Sequence, residues 1–230
     1  MNVTFYRSRR PGPELEIEDS LVQHADKMFS KTNYTQWVGG ALTIGTAVPD
    51  LLVVSYRPEV ISLSNISPAC TAILAYLRFY GKASMHVMAR KLRLPQPSIG
   101  RELENLVGLG VVYQRKRSFI MKRYWFDVLP RVRAIEAKTE NWRRAVWQAN
   151  RNQLFATESY VALPHKLAER VKSHQSFAEL GIGLIGIKGT GETEFLKQAK
   201  RVTPKIWQYY YRLASYVAND LGKDAIYSSN

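Results

Sequence analysis

The first amphipathic pattern in the chain follows a Pro-Gly-Pro break and predicts a helix over residues 14–29. The apolar stripe of this helix consists of Leu15, Val22, Ala25 and Phe29. Glu18 comes three residues after Leu15 and four before Val22, so the helical period places it on the same stripe. A carboxylate on an apolar face needs a cationic partner or a metal ion, which makes Glu18 a candidate functional residue.

Two apolar segments farther along the chain predict strands. Residues 47–54 place an acid, Asp50, at the mouth of a continuous apolar run, which is typical of a strand covered on both faces. Residues 131–138 predict a strand in which Glu136 and Lys138 point to the same face, because side chains alternate along a strand. A carboxylate beside an ammonium at a strand end is the arrangement that a metal-dependent phosphodiesterase needs. A turn aspartate and an exposed ion pair are the alternatives.

The other outer segments complete an α/β pattern. Residues 34–46 predict extended chain, and residues 141–155 predict a helix with one apolar stripe. Two more strands are predicted at residues 158–163 and 181–188, with helical residues between them, and a tyrosine-rich helix is predicted at residues 205–221. Alternating strands and helices of this kind favour an α/β fold.

The pattern changes between residues 62 and 126. Three helices are predicted at residues 67–80, 84–92 and 95–109, and two short strands joined by a basic tip at residues 114–117 follow them. This order resembles a winged helix-turn-helix DNA-binding domain. The resemblance implies that the third helix enters the major groove of DNA and that the hairpin contacts the backbone. A helical hairpin used for protein contacts is the alternative.

The same resemblance implies two sets of DNA-binding residues. The candidate readers of base edges lie on the third helix and are Gln96, Ser98, Arg101 and Asn105. The candidate phosphate contacts lie at the hairpin tip and are Arg115, Lys116 and Arg117.

The charge of the chain also favours a nucleic-acid partner. The chain has 33 Lys and Arg residues against 19 Asp and Glu residues, a net charge of +14. An excess of this size favours a polyanion or an anionic membrane surface. Residues 62–126 contain eleven basic and two acidic residues, and so contribute +9 of this charge. A basic surface that serves only solubility is the alternative.

Composition excludes several other classes. The single cysteine, Cys70, cannot form an internal disulfide and fits a reducing compartment, and the four histidines do not have the spacing of a zinc site. The sequence shows neither a secretory signal nor an apolar segment long enough to span a bilayer. We therefore expect a cytoplasmic protein without a membrane partner.

In chain order, the sequence offers an acidic helix, a strand opening with Pro49-Asp50, a strand ending in Glu136-Ala137-Lys138, and a helix carrying Gln148. This set resembles the PD-(D/E)xK nuclease superfamily, in which some families carry an auxiliary polar residue at the place of Gln148. The resemblance covers residues up to about 61 and from about 127 to 190. It implies a restriction-endonuclease-like fold, with a mixed central sheet flanked by helices and interrupted by the winged helix.

The expected domains follow from this resemblance. Residues 1–61 are the first part of the nuclease-like core, residues 62–126 are the inserted DNA-binding domain, and residues 127–230 are the second part of the core with the C-terminal helix. The long insert must leave Asp50 and Glu136 next to each other.

The resemblance also implies a role for each motif residue. Asp50 and Glu136 would bind Mg²⁺ directly, with Mn²⁺ as a substitute. Lys138 would position the attacking water and stabilise the charge that develops on the phosphate. Glu18, or else Glu14, would be the first-helix acid and would often act through water.

The expected function is thus a Mg²⁺-dependent DNA endonuclease that hydrolyses phosphodiester bonds in double-stranded DNA held by the winged helix. One such site cuts one strand, so double-strand cleavage would require a homodimer or a partner subunit. The alternatives are a non-catalytic DNA-binding regulator or assembly factor on a nuclease-like scaffold, and an RNA-directed nuclease.

Overall fold

The computed structural model describes residues 3–9, 11–30 and 33–227, which fold into two compact units. The first unit comprises residues 1–56 and 130–205, and the second comprises residues 57–129 and 206–230. The strands are β1 Val3–Phe5, β2 Thr35–Gly40, β3 Leu51–Tyr56, β4 Lys82–Ala83, β5 Val112–Arg115, β6 Ser118–Met121, β7 Arg131–Ala137, β8 Glu158–Pro164, β9 Gly183–Ile187 and β10 Thr193–Lys197. The helices are α1 Pro13–Phe29, α2 Pro68–Tyr80, α3 Met85–Leu92, α4 Gln96–Gly108, α5 Trp142–Asn152, α6 His165–Val171, α7 Gln175–Glu179 and α8 Trp207–Tyr227.

A mixed seven-stranded sheet forms the centre of the first unit, in the order β1-β2-β3-β7-β8-β9-β10. Strands β7, β8 and β9 run parallel to one another, whereas β3 is antiparallel to both of its neighbours. The predicted α/β class with a mixed sheet flanked by helices is therefore confirmed. The edge strands β1 and β10 were not predicted, because neither shows sustained alternation of apolar and polar residues.

Helix α1 covers one face of this sheet. It begins at Pro13, whose missing N–H is not needed in a first turn, and Glu14 and Glu16 complement the positive end of the helix. Its buried residues are Ile17, Leu21, Ala25 and Phe29, which pack against residues of β3, β7, β8 and β9. The predicted stripe was therefore partly wrong. Glu18 flanks the buried stripe, because packing against the sheet selects one line of residues within a wider apolar arc.

Helices α5, α6 and α7 cover the opposite face. Ala145, Val146 and Ala149 of α5 pack on Val161 and other apolar residues of β8, in a cluster that also includes α6, α7 and β9. The central strands are thus covered on both sides, which explains their continuous apolar runs. Asn141 caps the N-terminus of α5 by accepting a hydrogen bond from the backbone N–H of Arg144.

The second unit contains α2, α3, α4 and α8, two short 3₁₀ helices at Pro58–Leu63 and Arg123–Asp127, and a three-stranded antiparallel sheet in the order β4-β6-β5. The three predicted helices and the basic hairpin lie within a few residues of their predicted boundaries. Strand β4 was not predicted, since two residues give no periodic pattern. Lys116 turns the hairpin in the left-handed backbone region, with a φ of 55°.

The assignment of the C-terminal helix to the α/β core was wrong, because α8 belongs to the second unit. The Tyr210 hydroxyl accepts a hydrogen bond from the Leu129 N–H at 2.8 Å and donates to the Leu129 carbonyl at 3.0 Å. The Tyr211 hydroxyl donates to the Trp125 carbonyl at 3.1 Å. An amphipathic pattern shows that a helix packs on a core, but it does not show which core.

Candidate active site

Pairing between β3 and β7 brings Asp50 and Glu136 together. The two strands are antiparallel neighbours, and Leu51 pairs with Ile135, so the residues just beyond this pair are Asp50 and Glu136. Asp50 Oδ2 accepts a hydrogen bond from the Ala137 N–H at 2.7 Å, which fixes the carboxylate against the end of β7. The two predicted metal ligands are therefore brought to one place.

The long insert does not separate these residues, because it enters and leaves at the other end of the strand pair. Strand β3 ends at Tyr56 and β7 begins at Arg131. Ser55 pairs with Arg131 at that end, whereas Asp50 and Glu136 lie at the opposite end. A domain between two antiparallel neighbours can be large without disturbing the far end of the pair.

The segment that leads into Asp50 is also held by the residue after β2. The Ala41 N–H donates to the Pro49 carbonyl at 3.1 Å. A Cβ on Gly40 would overlap with the Asp50 carbonyl oxygen and with the ring of Phe5. Glycine at position 40 thus allows the close approach that positions Asp50.

Glu136 is a deeply buried acid with an incomplete set of partners. Its side chain is 1% exposed, and its Oε1 accepts a hydrogen bond from Asn152 Nδ2 at 2.7 Å. Its Oε2 is buried without a hydrogen-bond partner among the described residues. Burial, together with the charge of Asp50, raises the pKa of Glu136 to about 8. Burial also raises the pKa of Asp50 itself, although the nearby Lys138 opposes the shift.

Lys138 is the cation of this cluster. Its Nζ donates to Glu14 Oε2 at 2.8 Å and to the Ala137 carbonyl at 2.7 Å, and lies 3.8 Å from Asp50 Oδ2. Burial lowers the pKa of Lys138, but Asp50 and Glu14 outweigh burial and leave this pKa raised. Lys138 is therefore an ammonium at neutral pH. It can attract a phosphate oxygen or orient a water molecule, but it is a poor general base.

The two acids of α1 have different surroundings. Glu14 accepts the hydrogen bond from Lys138 just described. Glu18 Oε2 lies 3.8 Å from Arg9 Nη1. Burial and the charge of Asp50 raise the pKa of Glu18 to about 7. Glu14 is therefore the partner of the lysine, and Glu18 is a fourth acid, whose pKa responds to the charge of Asp50.

Helix α5 supplies the polar side chains on the other side of Glu136. A cavity of about 130 Å³ is lined by Thr46, Ala47, Val48, Glu136, Gln148, Arg151 and Asn152. The side-chain oxygens of Gln148 and Asn152, like Glu136 Oε2, are buried without a hydrogen-bond partner among the described residues. Arg151 Nη2 donates to the Thr46 carbonyl, which ties α5 to the segment before β3. Gln148 was predicted for this site, whereas Arg151 and Asn152 were missed.

The donor set fits a hard divalent cation. Mg²⁺ prefers oxygen ligands, and the site combines the carboxylates of Asp50 and Glu136 with the buried side-chain oxygens of Gln148 and Asn152, which accept no hydrogen bond among the described residues. Within the described part of the chain, no group of three or more Asp, Glu, His or Cys side chains forms a metal site. The carboxylates that could bind such a cation directly are those of Asp50 and Glu136.

The predicted DNA-binding residues lie in the second unit. Gln96, Arg101 and the hairpin-tip residues Arg115, Lys116 and Arg117 are exposed, and Ser98 is half-buried. The Gln114 side chain donates to the Lys116 carbonyl at 3.0 Å and braces the tip. Asn105 is also exposed, but its Nδ2 lies 4.0 Å from Cys70 Sγ on α2. This contact connects the Asn105 amide with α2.

Comparisons of this chain with protein-family models, with curated proteins and with solved structures give no match. None of the helices among residues 3–9, 11–30 and 33–227 combines the length and apolar character of a bilayer-crossing helix. The functional assignment therefore depends on the geometry of the chain itself.

Proposed function

We propose that this chain is a metal-dependent DNA endonuclease of the PD-(D/E)xK type. The observation that carries the proposal is the pair Asp50 and Glu136, which meet at neighbouring ends of β3 and β7 with raised pKa values. One Glu136 oxygen is buried without a hydrogen-bond partner in the part of the chain that the structure describes. A buried carboxylate in this condition weakens the fold, so its presence in a polar cavity favours a functional role.

Each residue of the site has a distinct task in this proposal. Asp50 and Glu136 would bind Mg²⁺ through their carboxylate oxygens. Mg²⁺ prefers six oxygen ligands, so coordination positions would remain for oxygens of the substrate. Mg²⁺, when bound, supplies Lewis-acid stabilisation of negative charge on the phosphate. Lys138 acts as a positive charge that attracts the phosphate and orients the attacking water. Glu14 accepts the hydrogen bond that keeps this ammonium beside Asp50.

The second unit supports DNA as the polyanionic partner that the net charge of the chain favours. Its order of helix, strand, helix, helix, strand and strand resembles a winged helix, with α4 as the recognition helix and the β5–β6 hairpin as the wing. Arg101 on α4 and the exposed basic tip of the hairpin match the two kinds of contact that such a domain makes. We infer that this unit binds double-stranded DNA.

The test is cleavage of supercoiled plasmid and of linear duplex by the purified protein in Mg²⁺, in Mn²⁺ and in EDTA. Lys138→Ala is compared with Lys188→Ala, since Lys188 is an exposed lysine of the same unit, 3.4 Å from Glu192. We expect metal-dependent nicking by the wild-type protein and by Lys188→Ala, and none by Lys138→Ala, with duplex binding unchanged in all three.

Two results would overturn the proposal. Duplex binding without cutting in any divalent metal would favour a DNA-binding regulator or assembly factor on a nuclease-like scaffold. Equal cutting by wild-type protein and Lys138→Ala would place the activity elsewhere. Nicks without double-strand breaks would indicate that cutting of both strands needs a homodimer or a partner subunit.

A further inference from the structure

The outer face of α5 is a basic surface with one exposed tryptophan at its centre. We use the term α5 outer face for Arg143, Arg144, Trp147 and Arg151, which follow one another at helical spacing. Trp147 is 57% exposed. Residues 141–152 contain these three arginines and no acidic residue. None of the ion pairs in the described part of the chain involves the three arginines.

The exposure of Trp147 is specific to this position. Trp142, on the same helix, is half-buried and packs against His174 and Phe177, with ring centroids 4.7 and 6.0 Å away. Trp147 instead has the guanidinium of Arg151 over its ring at 4.6 Å. Arg151 in turn donates to the Thr46 carbonyl. The indole is therefore braced by a fixed arginine while much of its surface stays open to solvent.

This combination of groups matches an unpaired nucleic-acid strand. Unpaired arginines attract phosphates, and an exposed indole offers a flat surface on which a base can stack. Bases inside a duplex are stacked on each other and do not present their faces, so a paired duplex would use the arginines but not Trp147. Arg151 lies over the ring of Trp147, and the exposed residues one turn earlier on the helix are Arg143 and Arg144, which argues against an apolar docking patch.

We propose that the α5 outer face binds an unpaired DNA strand, with a base stacked on Trp147 and phosphates at Arg143 and Arg144. The same helix supplies Gln148 and Asn152 to the candidate active site. The DNA that this site cuts would therefore contain a single-stranded segment next to the scissile bond, as in a flap, a fork or a gap. This last step rests on the proposed function, whereas strand binding by α5 does not.

The test is fluorescence anisotropy in EDTA, where cutting is absent. The ligands are a labelled thymidine oligonucleotide of about 20 nucleotides, longer than one single-strand site needs, a forked duplex and a fully paired duplex. Trp147→Ala should weaken binding of the oligonucleotide and of the fork by about tenfold, which is within the contribution of one stacked base, and should change duplex binding less than twofold. Trp147→Phe should retain most of the affinity, because it keeps an aromatic ring.

Two controls separate stacking from general effects. Phe79→Ala removes an aromatic side chain that is 74% exposed in the second unit, and it should change none of the three affinities. The logarithm of the binding constant for the oligonucleotide falls linearly with the logarithm of the salt concentration, and each single-strand phosphate contact contributes about 0.7 to the size of this slope. The double variant Arg143→Gln/Arg144→Gln should therefore reduce the size of the slope by about 1.4. Binding of the oligonucleotide should also quench tryptophan fluorescence less in Trp147→Phe than in the wild-type protein.

The inference would be overturned if Trp147→Ala had no effect, if it weakened all three ligands equally, or if the oligonucleotide did not bind. These outcomes are independent of the nuclease proposal. If the protein cuts plasmid but fails this test, the proposed active site stands and only the strand-binding role of α5 is ruled out. If the protein passes this test but never cuts DNA, the nuclease proposal fails and the proposal of a single-strand surface stands.

Discussion

Two buried glutamates on neighbouring strands of the same sheet have opposite surroundings. Glu158, on β8, is 4% exposed and accepts hydrogen bonds from Arg131 at 2.9 Å and from Arg133 at 3.2 Å. Arg133 is itself 3% exposed and lies over the ring of Phe29. Glu136, on β7, has one amide donor, one oxygen without a partner, and no ion pair among the described residues.

The difference distinguishes a buried acid that has ionic partners from one that has none among the described residues. The attraction between Glu158 and its two arginine partners offsets the free-energy cost of burying the carboxylate. Glu158 therefore has a structural role. Glu136 is held near a second acid, Asp50, and its pKa is raised accordingly. The same sheet thus pairs one buried acid with two arginines and leaves one oxygen of the other without a hydrogen-bond partner among the described residues.

The largest expected effect is the loss of cleavage when Asp50, one of the two neighbouring acids of the site, loses its charge. Asp50→Asn should lower the rate of plasmid nicking by about 10⁴-fold, which corresponds to about 5.5 kcal/mol. The free energy of unfolding should not fall, because the amide oxygen can still accept from the Ala137 N–H and a repulsion is removed. Nicking rates and urea denaturation of both proteins would measure this. A large loss of stability would show that Asp50 is structural.

The second expected effect lies at the other glutamate. Glu158→Ala leaves the buried Arg133 without its carboxylate, and breaking a buried ion pair in this way should cost about 3–4 kcal/mol in the free energy of unfolding. Urea denaturation at constant pH measures the change.

A double variant controls the interpretation of Glu158. Arg133→Met/Glu158→Leu removes both charges and should recover most of the stability that Glu158→Ala loses, because an apolar pair of similar volume is tolerated in a core. Equal destabilisation by the single and double variants would mean that packing, rather than the ion pair, matters at this place.

The third expected effect concerns the amide that orients Glu136. Asn152→Ala removes the donor to Glu136 Oε1 and should lower metal-dependent cleavage by about 10- to 100-fold, as loss of a residue that orients a metal ligand commonly does. Asn150→Ala, on the same helix, is the matched control and should cut at the wild-type rate. If both variants were equally slow, a general weakening of α5 would be the better explanation.

The smallest expected effect is on thermal stability in Mg²⁺. A cation that binds only the folded protein should add about 1.4 kcal/mol when its concentration is ten times the dissociation constant. The melting temperature of the wild-type protein and of Glu158→Gln should therefore rise on going from EDTA to Mg²⁺, while that of Glu136→Gln should not. An equal rise in all three would place the cation away from Glu136.

Much of the fold could be predicted from periodicity, because long elements carry a repeated signal. The helix that contains Glu18 and the buried strand after Asp50 lie close to their predicted bounds. Strands β1 and β4 have three and two residues, too few for a period to appear, and β10 has no sustained alternation of apolar and polar residues. The place of α8 in the second unit depends on contacts of Tyr210 and Tyr211 with segments more than eighty residues earlier, which no local pattern encodes.

The order of the motifs along the chain predicted most residues of the candidate site. The residues that were missed were missed for a physical reason. Asp50, Glu136 and Lys138 could be selected because a charged residue at the end of an apolar strand is unusual. Asn152 was missed because it is an amide near the end of a helix, where a polar residue is common. Its spacing of four residues from Gln148 places both on one helix face, and this was the signal that could have identified it.

The most direct test of the account compares the two glutamates in one assay. Supercoiled plasmid is incubated with wild-type protein, Glu136→Gln and Glu158→Gln in Mg²⁺ and in Mn²⁺, at a temperature where all three are folded by circular dichroism. We expect metal-dependent nicking by the wild-type protein and by Glu158→Gln, and none by Glu136→Gln. Nicking by Glu136→Gln at the wild-type rate, or no nicking by the wild-type protein in either metal, would contradict it.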